Sequence, residues 1–451
     1  MKNKIFFSVA DRQLEPYITF DKFEKSLFAN ILFDEGIVIP DIFIFVSKHI
    51  EDHITRSISK SFFESALEKG YIIPSFRDPQ KFDFLDALNV VRGGNNPNAA
   101  ILGIQENADL IAQRLQLCAQ SKDYKHEIWS TEINFGEQYE KAMVNFLMKD
   151  EMISLTNGDA FDKEEMRELW NLTHEWRFEV IGEAIEQTKI VAGTGLRRSE
   201  IHNAVARKLG LPITKEVGDV RYLLSAVENN KPLFHLLRVF MEWVTECYHF
   251  NMSSCLECIP NFPNFDSRNG LILASLLPER KALSSSNLTY IEEEVKFPSL
   301  SMLRRVRGND LISVRNDYGH GFFAAKKAWQ DNPSTKNEEY LRRILREYTT
   351  ELNNFIGKHY GIEGFSPANF IFGKGTPQDR KSLDEIFGLV KSGLSLIAGI
   401  RFDVVISFGK SLFTVLGFWN KEPETQNVRI FTDKIVAEVN VPDSPQVTQS
   451  K

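Results

Sequence analysis

The sequence has few cysteines, no long uninterrupted apolar run and no excess of basic residues. Four cysteines in 451 residues exclude a disulfide-stapled secreted scaffold, so we expect a cytoplasmic protein. The net charge of −7 excludes a generally basic nucleic-acid coat protein. The N-terminal residues predict no secretory signal, because their short apolar run ends at Asp11.

The most apolar stretch runs from Ile386 to Trp419. Four charged residues interrupt it: Lys391, Arg401, Asp403 and Lys410. A membrane-spanning helix needs about 20 consecutive apolar residues. We therefore expect a buried helical hairpin within a soluble protein, and no stable membrane insertion.

The chain is too long for one simple core, since single cores stop growing at about 250–300 residues. A composition of 43% hydrophobic and 25% charged residues indicates that most of it folds. The 35 Phe indicate large packing surfaces, within the chain or against a partner.

One sequence pattern occurs twice near the N-terminus: a helical segment, a glycine, a β-branched run and a proline. Gly36 precedes Ile37–Pro40, and Gly70 precedes Tyr71–Pro74. Glycine commonly caps a helix in the left-handed conformation, and a β-branched run stopped by proline is typical of a short strand. We predict a small α/β domain over residues 1–97.

Residues 98–360 carry apolar side chains at helical spacing and predict a helical domain. The predicted helices cover 137–152, 163–191, 199–209, 217–249, a block over 299–329, and 337–358. Residues 361–441 would hold a connection over Gly361–Pro377, the apolar hairpin and an edge strand over 427–441. Residues 442–451 are predicted to be a disordered tail. The predicted fold class is mainly α, with a helical bundle core and a small α/β N-terminal part.

The best catalytic candidate is the string Arg315-Asn316-Asp317-Tyr318-Gly319-His320-Gly321, which we expect to end one helix and begin the next. An Arg and a His five positions apart can converge where a helix meets a turn. Arg suits phosphate oxygens, and His exchanges a proton near neutral pH. Together they could cleave RNA without a metal ion.

This string resembles the signature of the HEPN ribonucleases, in which Arg, four to six residues and His lie on a helical bundle. Asn316 after the Arg and Gly321 after the His match neighbours common in that family. The resemblance implies catalytic roles for Arg315 and His320, support from Asn316, no cofactor, and a toxin or host-defence activity. Because the family usually builds one site from two motif copies, it also implies a homodimer or a protein partner.

Two other Arg–His pairs have similar spacing, Arg197 with His202 and Arg167 with His174, but neither has these neighbours. Basic residues outnumber acidic ones between Leu303 and Lys358, which favours RNA binding through a local patch. Asp34, Glu35 and Asp41 could belong to a metal-dependent nuclease, but we interpret them as a solvated turn.

Three cysteines and a histidine lie close together: Cys247, His249, Cys255 and Cys258. The spacing of Cys255 and Cys258 is that of a zinc knuckle. A single residue between Cys247 and His249 is an awkward reach for two ligands of one ion, so we predict no bound metal.

Three functions stay open from the sequence. The first is a HEPN-like, metal-independent endoribonuclease. The second is a non-enzymatic helical interaction or scaffold protein that uses its many Phe and the hairpin. The third is a membrane-perturbing effector that acts through residues 386–419.

Overall fold

The computed structural model describes residues 4–15, 18–57, 59–78, 80–92, 103–128, 135–137, 139–140, 143, 176, 178–190, 195–258, 261–263, 283–362, 365–377, 427–429 and 436–439. Within these residues the chain is mainly α-helical, as the sequence predicted, and a small parallel sheet lies near the N-terminus. The hairpin over 386–419 and the tail over 442–451 lie outside the described residues.

The parallel sheet has four strands in sequential order: β1 (Ile5–Phe6), β2 (Ile37–Pro40), β3 (Ile72–Phe76) and β4 (Glu127–Ile128). Among the described residues, the helices between these strands are α1 (Phe20–Phe33), α2 (Asp41–Val46), α3 (Lys48–Thr55), α4 (Phe62–Glu68), α5 (Phe84–Arg92) and α6 (Ala108–Cys118). Because all four strands are parallel, their carboxyl ends lie along one edge of the sheet.

The predicted strands before Pro40 and Pro74 are confirmed as β2 and β3. Gly36 and Gly70 precede them with φ of +121° and +68°. A Cβ at Gly36 would lie 2.3 Å from the Tyr71 carbonyl oxygen, so only glycine allows the two strands to approach here.

The later helices are α7 (Arg198–Lys208), α8 (Val220–Ser225), α9 (Lys231–Cys255), α10 (Leu300–Leu303), α11 (Gly308–Asp331) and α12 (Thr335–Tyr360), and residues 178–190 are also helical. The predicted helices at Ser199–Leu209 and Asn337–Lys358 are confirmed as α7 and α12. The single helix predicted over Val217–His249 is wrong. It divides into α8 and α9, and Pro232 lies in the first turn of α9, where its missing N–H does no harm.

The predicted connection over Gly361–Pro377 is also wrong. Ser366–Pro377 forms strand β7, which pairs antiparallel with β6 (Leu283–Phe297) and with β9 (Val436–Val439). A further pair joins β5 (Asn261–Pro263) to β8 (Asn427–Arg429). Local Gly and Pro content did not predict β7, because its partner strand is far away in sequence.

Aromatic side chains join the early and late parts of the chain. The Phe33 ring, at the end of α1, contacts Phe297, Phe322, Tyr348 and Phe370 at centroid distances of 4.6–5.8 Å. This contact accounts for part of the high Phe content by packing within the chain.

Candidate active site at the carboxyl edge of the parallel sheet

Three charged residues follow the carboxyl ends of adjacent strands: Asp11 after β1, Asp41 after β2 and Arg77 after β3. In open α/β sheets this edge is where ligands usually bind, because the loops that leave the strands converge there. Asp11 and Asp41 are 0% and 1% exposed. Because its charged residues are buried, we take this edge of the sheet as the candidate functional site.

Asp11 is the centre of a buried cluster. Its Oδ1 accepts the backbone N–H of Gln13 at 3.1 Å and so caps a short 3-10 turn over Arg12–Leu14. Its Oδ2 accepts from His249 Nε2 at 2.7 Å and from an Arg198 guanidinium nitrogen. Helices α7 and α9 thereby place two side chains on one carboxylate.

Burial and charge interactions within this cluster determine the protonation states of Asp11 and His249. Burial alone would raise the pKa of Asp11, but the Arg198 charge and the hydrogen bond from His249 outweigh it and hold that pKa far below its ordinary value. Burial lowers the pKa of His249 despite Asp11. A neutral His249 beside an ionised Asp11 must carry its proton on Nε2. Its buried Nδ1 is then a bare acceptor, with no partner among the described residues.

A second ion pair continues the cluster along the edge. The Arg77 guanidinium lies 2.9–3.3 Å from both carboxylate oxygens of Asp41. Tyr248 interacts with both pairs, and its ring lies 4.1 Å from the Arg198 guanidinium carbon. Burial raises the pKa of Tyr248, so its hydroxyl stays protonated.

The residues after Asp11 build a more open part of the site. Gln13 donates to the Gly218 carbonyl at 2.5 Å and accepts from the Val220 N–H at 3.3 Å, which anchors the segment before α8. In a 3-10 turn the side chains at positions i and i+3 eclipse. Arg12 and Glu15 therefore project from the same side of the turn.

Arg12 shares one carboxylate with Arg221. Arg221 holds Asp219 through two nitrogens at 2.6–3.1 Å, and an Arg12 nitrogen lies 3.9 Å from the same carboxylate. Two guanidinium groups thus face one acidic side chain. Arg12 Nε is buried and has no acceptor among the described residues. The two guanidinium charges exceed the single charge of Asp219, which favours an anionic ligand.

Glu15 lies beside these cations and is only partly exposed. Burial raises its pKa to about 7, although the hydrogen bond from the Lys48 N–H and the charges of Arg12 and Arg221 lower it. Asp11, only four residues earlier, is fully ionised at that pH. A carboxyl group whose pKa is raised to near neutral pH, as that of Glu15 is, suits a general acid or base.

The motif residues Arg315 and Asn316 lie on α11 and contact the N-terminal unit. Arg315 is 7% exposed and donates to the carbonyls of Ile31 at 2.5 Å and Asp34 at 3.0 Å. Its guanidinium carbon lies 3.6 Å from the Tyr71 ring centroid, and the Tyr71 hydroxyl donates to the Asn316 side chain. The guanidinium therefore satisfies carbonyl groups at the end of α1.

The His320 side chain does not lie beside those of Arg315 and Asn316 within one chain. The motif was predicted to bridge two helices, but α11 is continuous through it, because no residue there breaks the helical hydrogen bonds. Five helical positions turn the chain about 140° around the axis. Arg315 is buried and His320 is exposed, so the two side chains face different surroundings.

The predicted basic patch is largely paired. Arg304 bonds the carboxylates of Asp21 and Glu24. Arg342 and Arg346 both bond Glu293 on β6. Much of the local positive charge is therefore neutralised within the chain.

The cysteine cluster is not assembled around a common point. Cys247 and His249 lie on α9, His249 is bonded to Asp11, and Cys258 donates to the Leu256 carbonyl. No group of three or more His, Cys, Asp or Glu side chains in the described ranges is arranged to hold a metal ion.

The interpretation of Asp34 and Asp41 as a solvated turn is wrong. Both are buried and ion-paired, Asp34 with Lys326 and Asp41 with Arg77. The signal that sequence analysis passed over is Asp11, which we treated only as the end of an apolar run. Of the alternative Arg–His pairs, Arg197 is exposed and His202 is buried, and Arg167 and His174 lie outside the described residues.

In the part of the chain that the structure describes, no helix combines the length and the apolar content needed to cross a bilayer. Comparison of the chain with protein-family models, curated proteins and solved structures gives no match. The chemistry of the site is therefore the only basis for a functional assignment.

Proposed function

We propose that this chain is a metal-independent endoribonuclease that uses Glu15 at the carboxyl edge of the parallel sheet as its general base. The observation that carries the proposal is the position of Glu15. It lies beside two guanidinium groups that share one carboxylate, on a turn capped by the buried Asp11.

RNA is the phosphate ester that best fits this set of groups, because it carries its own nucleophile. Glu15 takes the proton of a 2′-hydroxyl, and the 2′-oxygen then forms a bond to phosphorus. The bond from phosphorus to the 5′-oxygen breaks, and the leaving oxygen takes a proton from water. Arg12 and Arg221 stabilise the crowded, negatively charged phosphate.

The buried cluster has a positioning role in this mechanism. Asp11 holds the turn that carries Arg12 and Glu15, while Arg198 and His249 hold Asp11 in place. These three side chains are nearly inaccessible and do not touch the substrate.

A carboxyl base with a pKa near 7 is a stronger base than an ordinary carboxylate and is still half ionised at neutral pH.

The test is cleavage of an end-labelled, mixed-sequence single-stranded RNA in excess EDTA. We expect cleavage that leaves 2′,3′-cyclic phosphate ends, and none of the matching DNA, which lacks the nucleophile. Glu15→Gln should slow cleavage by about 10²–10⁴-fold, the usual worth of a general base. Glu106→Gln, at an exposed glutamate whose charge acts on Lys48, is the matched control and should leave the rate unchanged.

A second site for the same activity stays open, at the HEPN-like motif. His320 and Tyr318 are exposed on α11, so a second copy of the chain could reach them. His320→Gln separates the two sites. Loss of cleavage in that variant, with full activity in Glu15→Gln, would move the site to the motif, and no cleavage by the wild-type protein would refute both.

Other expectations from the sequence remain proposals of the same kind. They are the helical bundle core, the homodimer, the cytoplasmic location and the toxin or host-defence role. Light scattering of the purified chain would test the homodimer directly, since one copy has a mass of 51.7 kDa.

A further inference from the structure

Two buried side chains fix the backbone on which Asp219 stands beside the proposed base. Gln13 bonds the backbone of both residues that flank Asp219 in sequence. His202 donates from its Nδ1 to the Val217 carbonyl at 3.0 Å. The Asp219 backbone therefore cannot move away from the site without breaking buried hydrogen bonds.

The Asp219 side chain is held in place as well. Its Oδ1 accepts the Arg221 backbone N–H at 2.9 Å, which caps α8, and both its oxygens accept from the Arg221 guanidinium. Burial alone would raise the pKa of Asp219, but the hydrogen bonds from Arg221 outweigh it and hold that pKa below its ordinary value. The site thus contains a fixed negative charge.

The groups around this charge are accessible to a ligand. In side-chain terms Arg221 is 52% exposed, Arg12 is 25% exposed and Asp219 is 23% exposed. Arg12 and Arg221 both act on Glu15, and Asp219 acts on Arg221. Two positive charges therefore meet two negative charges when Glu15 is ionised, and the local sum is zero.

Two neighbouring charges do not alter this balance, because each has its own partner. Asp11, which also acts on Glu15, is paired with Arg198. The Lys48 ammonium, whose backbone N–H bonds Glu15, is paired with Glu51 at 3.2 Å.

We propose that Asp219 determines the specificity of this site, directing it to an internal phosphodiester of RNA and against a terminal phosphomonoester. This inference rests on the proposed ribonuclease function and names the kind of phosphate that its site accepts. A phosphomonoester carries nearly two negative charges at neutral pH, and a phosphodiester carries one. At a site whose charges sum to zero, the second charge gains nothing and is costly to desolvate. Without the Asp219 charge the sum would be +1, and the more highly charged group would be preferred.

The experiment measures binding, so its outcome does not depend on cleavage. The probes are two 2′-O-methyl tetranucleotides, which lack the nucleophile, one without a terminal phosphate and one with a 3′-phosphate. Dissociation constants are measured by calorimetry at low salt and about pH 8, where Glu15, with a pKa of about 7, is mostly ionised. The wild-type chain should bind the 3′-phosphate probe no more tightly than the other.

Asp219→Asn removes the charge and keeps an oxygen that can cap α8. It should bind the probe without a terminal phosphate about fivefold more tightly than wild type, and the 3′-phosphate probe up to about thirtyfold more tightly. Asp219→Ser, which also retains a capping oxygen, should show the same preference for the 3′-phosphate probe.

Two further variants control the measurement. Asp310→Asn removes a carboxylate of similar side-chain exposure, 25%, that is also paired with an arginine, and should change neither constant. Arg221→Gln should weaken the binding of both probes, because they bind at its guanidinium.

A ratio of the two constants that is the same in wild type and Asp219→Asn would overturn the proposal. So would a wild-type preference for the 3′-phosphate probe, binding that Arg221→Gln leaves unchanged, or no measurable binding. If the ratio shifts as expected but the wild-type chain cleaves no RNA, the ribonuclease function fails and the phosphate specificity of the site stands.

Discussion

At the scale of single residues, the raised pKa of Glu15 has two opposite effects. It lowers the stability of the folded chain above about pH 4.5, and it makes the carboxylate a stronger base. Its pKa is about 7 in the folded chain, against about 4.5 for an ordinary glutamate. A raised pKa means that the ionised form is better solvated when the chain is unfolded. Its contribution to stability is therefore fully present below about pH 4.5 and is lost as the pH rises to about 7.

Glu15→Gln should accordingly stabilise the protein while removing activity. The amide keeps an oxygen that can accept the Lys48 N–H and has no charge to desolvate. We expect a higher Tm than wild type at about pH 8 and no difference at about pH 4. Thermal unfolding at both pH values checks this. A lower Tm at about pH 8 would show that the ionised Glu15 stabilises the folded chain, which would contradict a raised pKa.

At the scale of secondary-structure elements, α11 is docked on the N-terminal unit through the end of α1. Arg315 and Lys326, both on α11, donate to the carbonyls of Ile31, Phe33 and Asp34. Positive side chains at a helix C-terminus satisfy its free carbonyls and its dipole. This is a structural reason for a buried arginine at that position, independent of catalysis.

Arg315→Ala should therefore destabilise the protein, because it removes two buried hydrogen bonds to backbone carbonyls. We expect a loss of about 2–4 kcal/mol in the free energy of unfolding, measured by urea denaturation. His320→Ala, five positions along the same helix, removes only an exposed side chain and should change that energy by less than about 0.5 kcal/mol. Equal effects from the two variants would contradict the structural role assigned to Arg315.

At the scale of the whole molecule, the candidate site joins segments that are far apart in sequence. Asp11 contacts Arg198 and His249, which lie 187 and 238 positions later. Local patterns predicted β2, β3 and several helices, because glycine caps, β-branched runs and helical spacing act over a few residues. They could not predict the ion pairs of Asp11, nor the long β6–β7 pairing, because both depend on the tertiary fold.

The HEPN-like motif also shows that a local sequence pattern does not determine burial. Arg315, Asn316 and His320 have a spacing typical of a nuclease signature, yet spacing alone does not say which side chains a helix buries. The fold gives Arg315 two backbone acceptors and leaves His320 at the surface. Asp11, Arg12 and Glu15 of the candidate site lie instead in a five-residue stretch after β1, in which only Asp11 and Glu15 are acidic.

The most direct test of the central claim is the rate of RNA cleavage in excess EDTA, measured from about pH 5 to about pH 9. A general base with a pKa near 7 predicts a rate that rises about tenfold per pH unit and levels above about pH 7. Glu15→Gln should abolish that rise, and Glu106→Gln should keep it. A rate that shows no break near pH 7, or a rise that survives in Glu15→Gln, would contradict the assignment of Glu15 as the base.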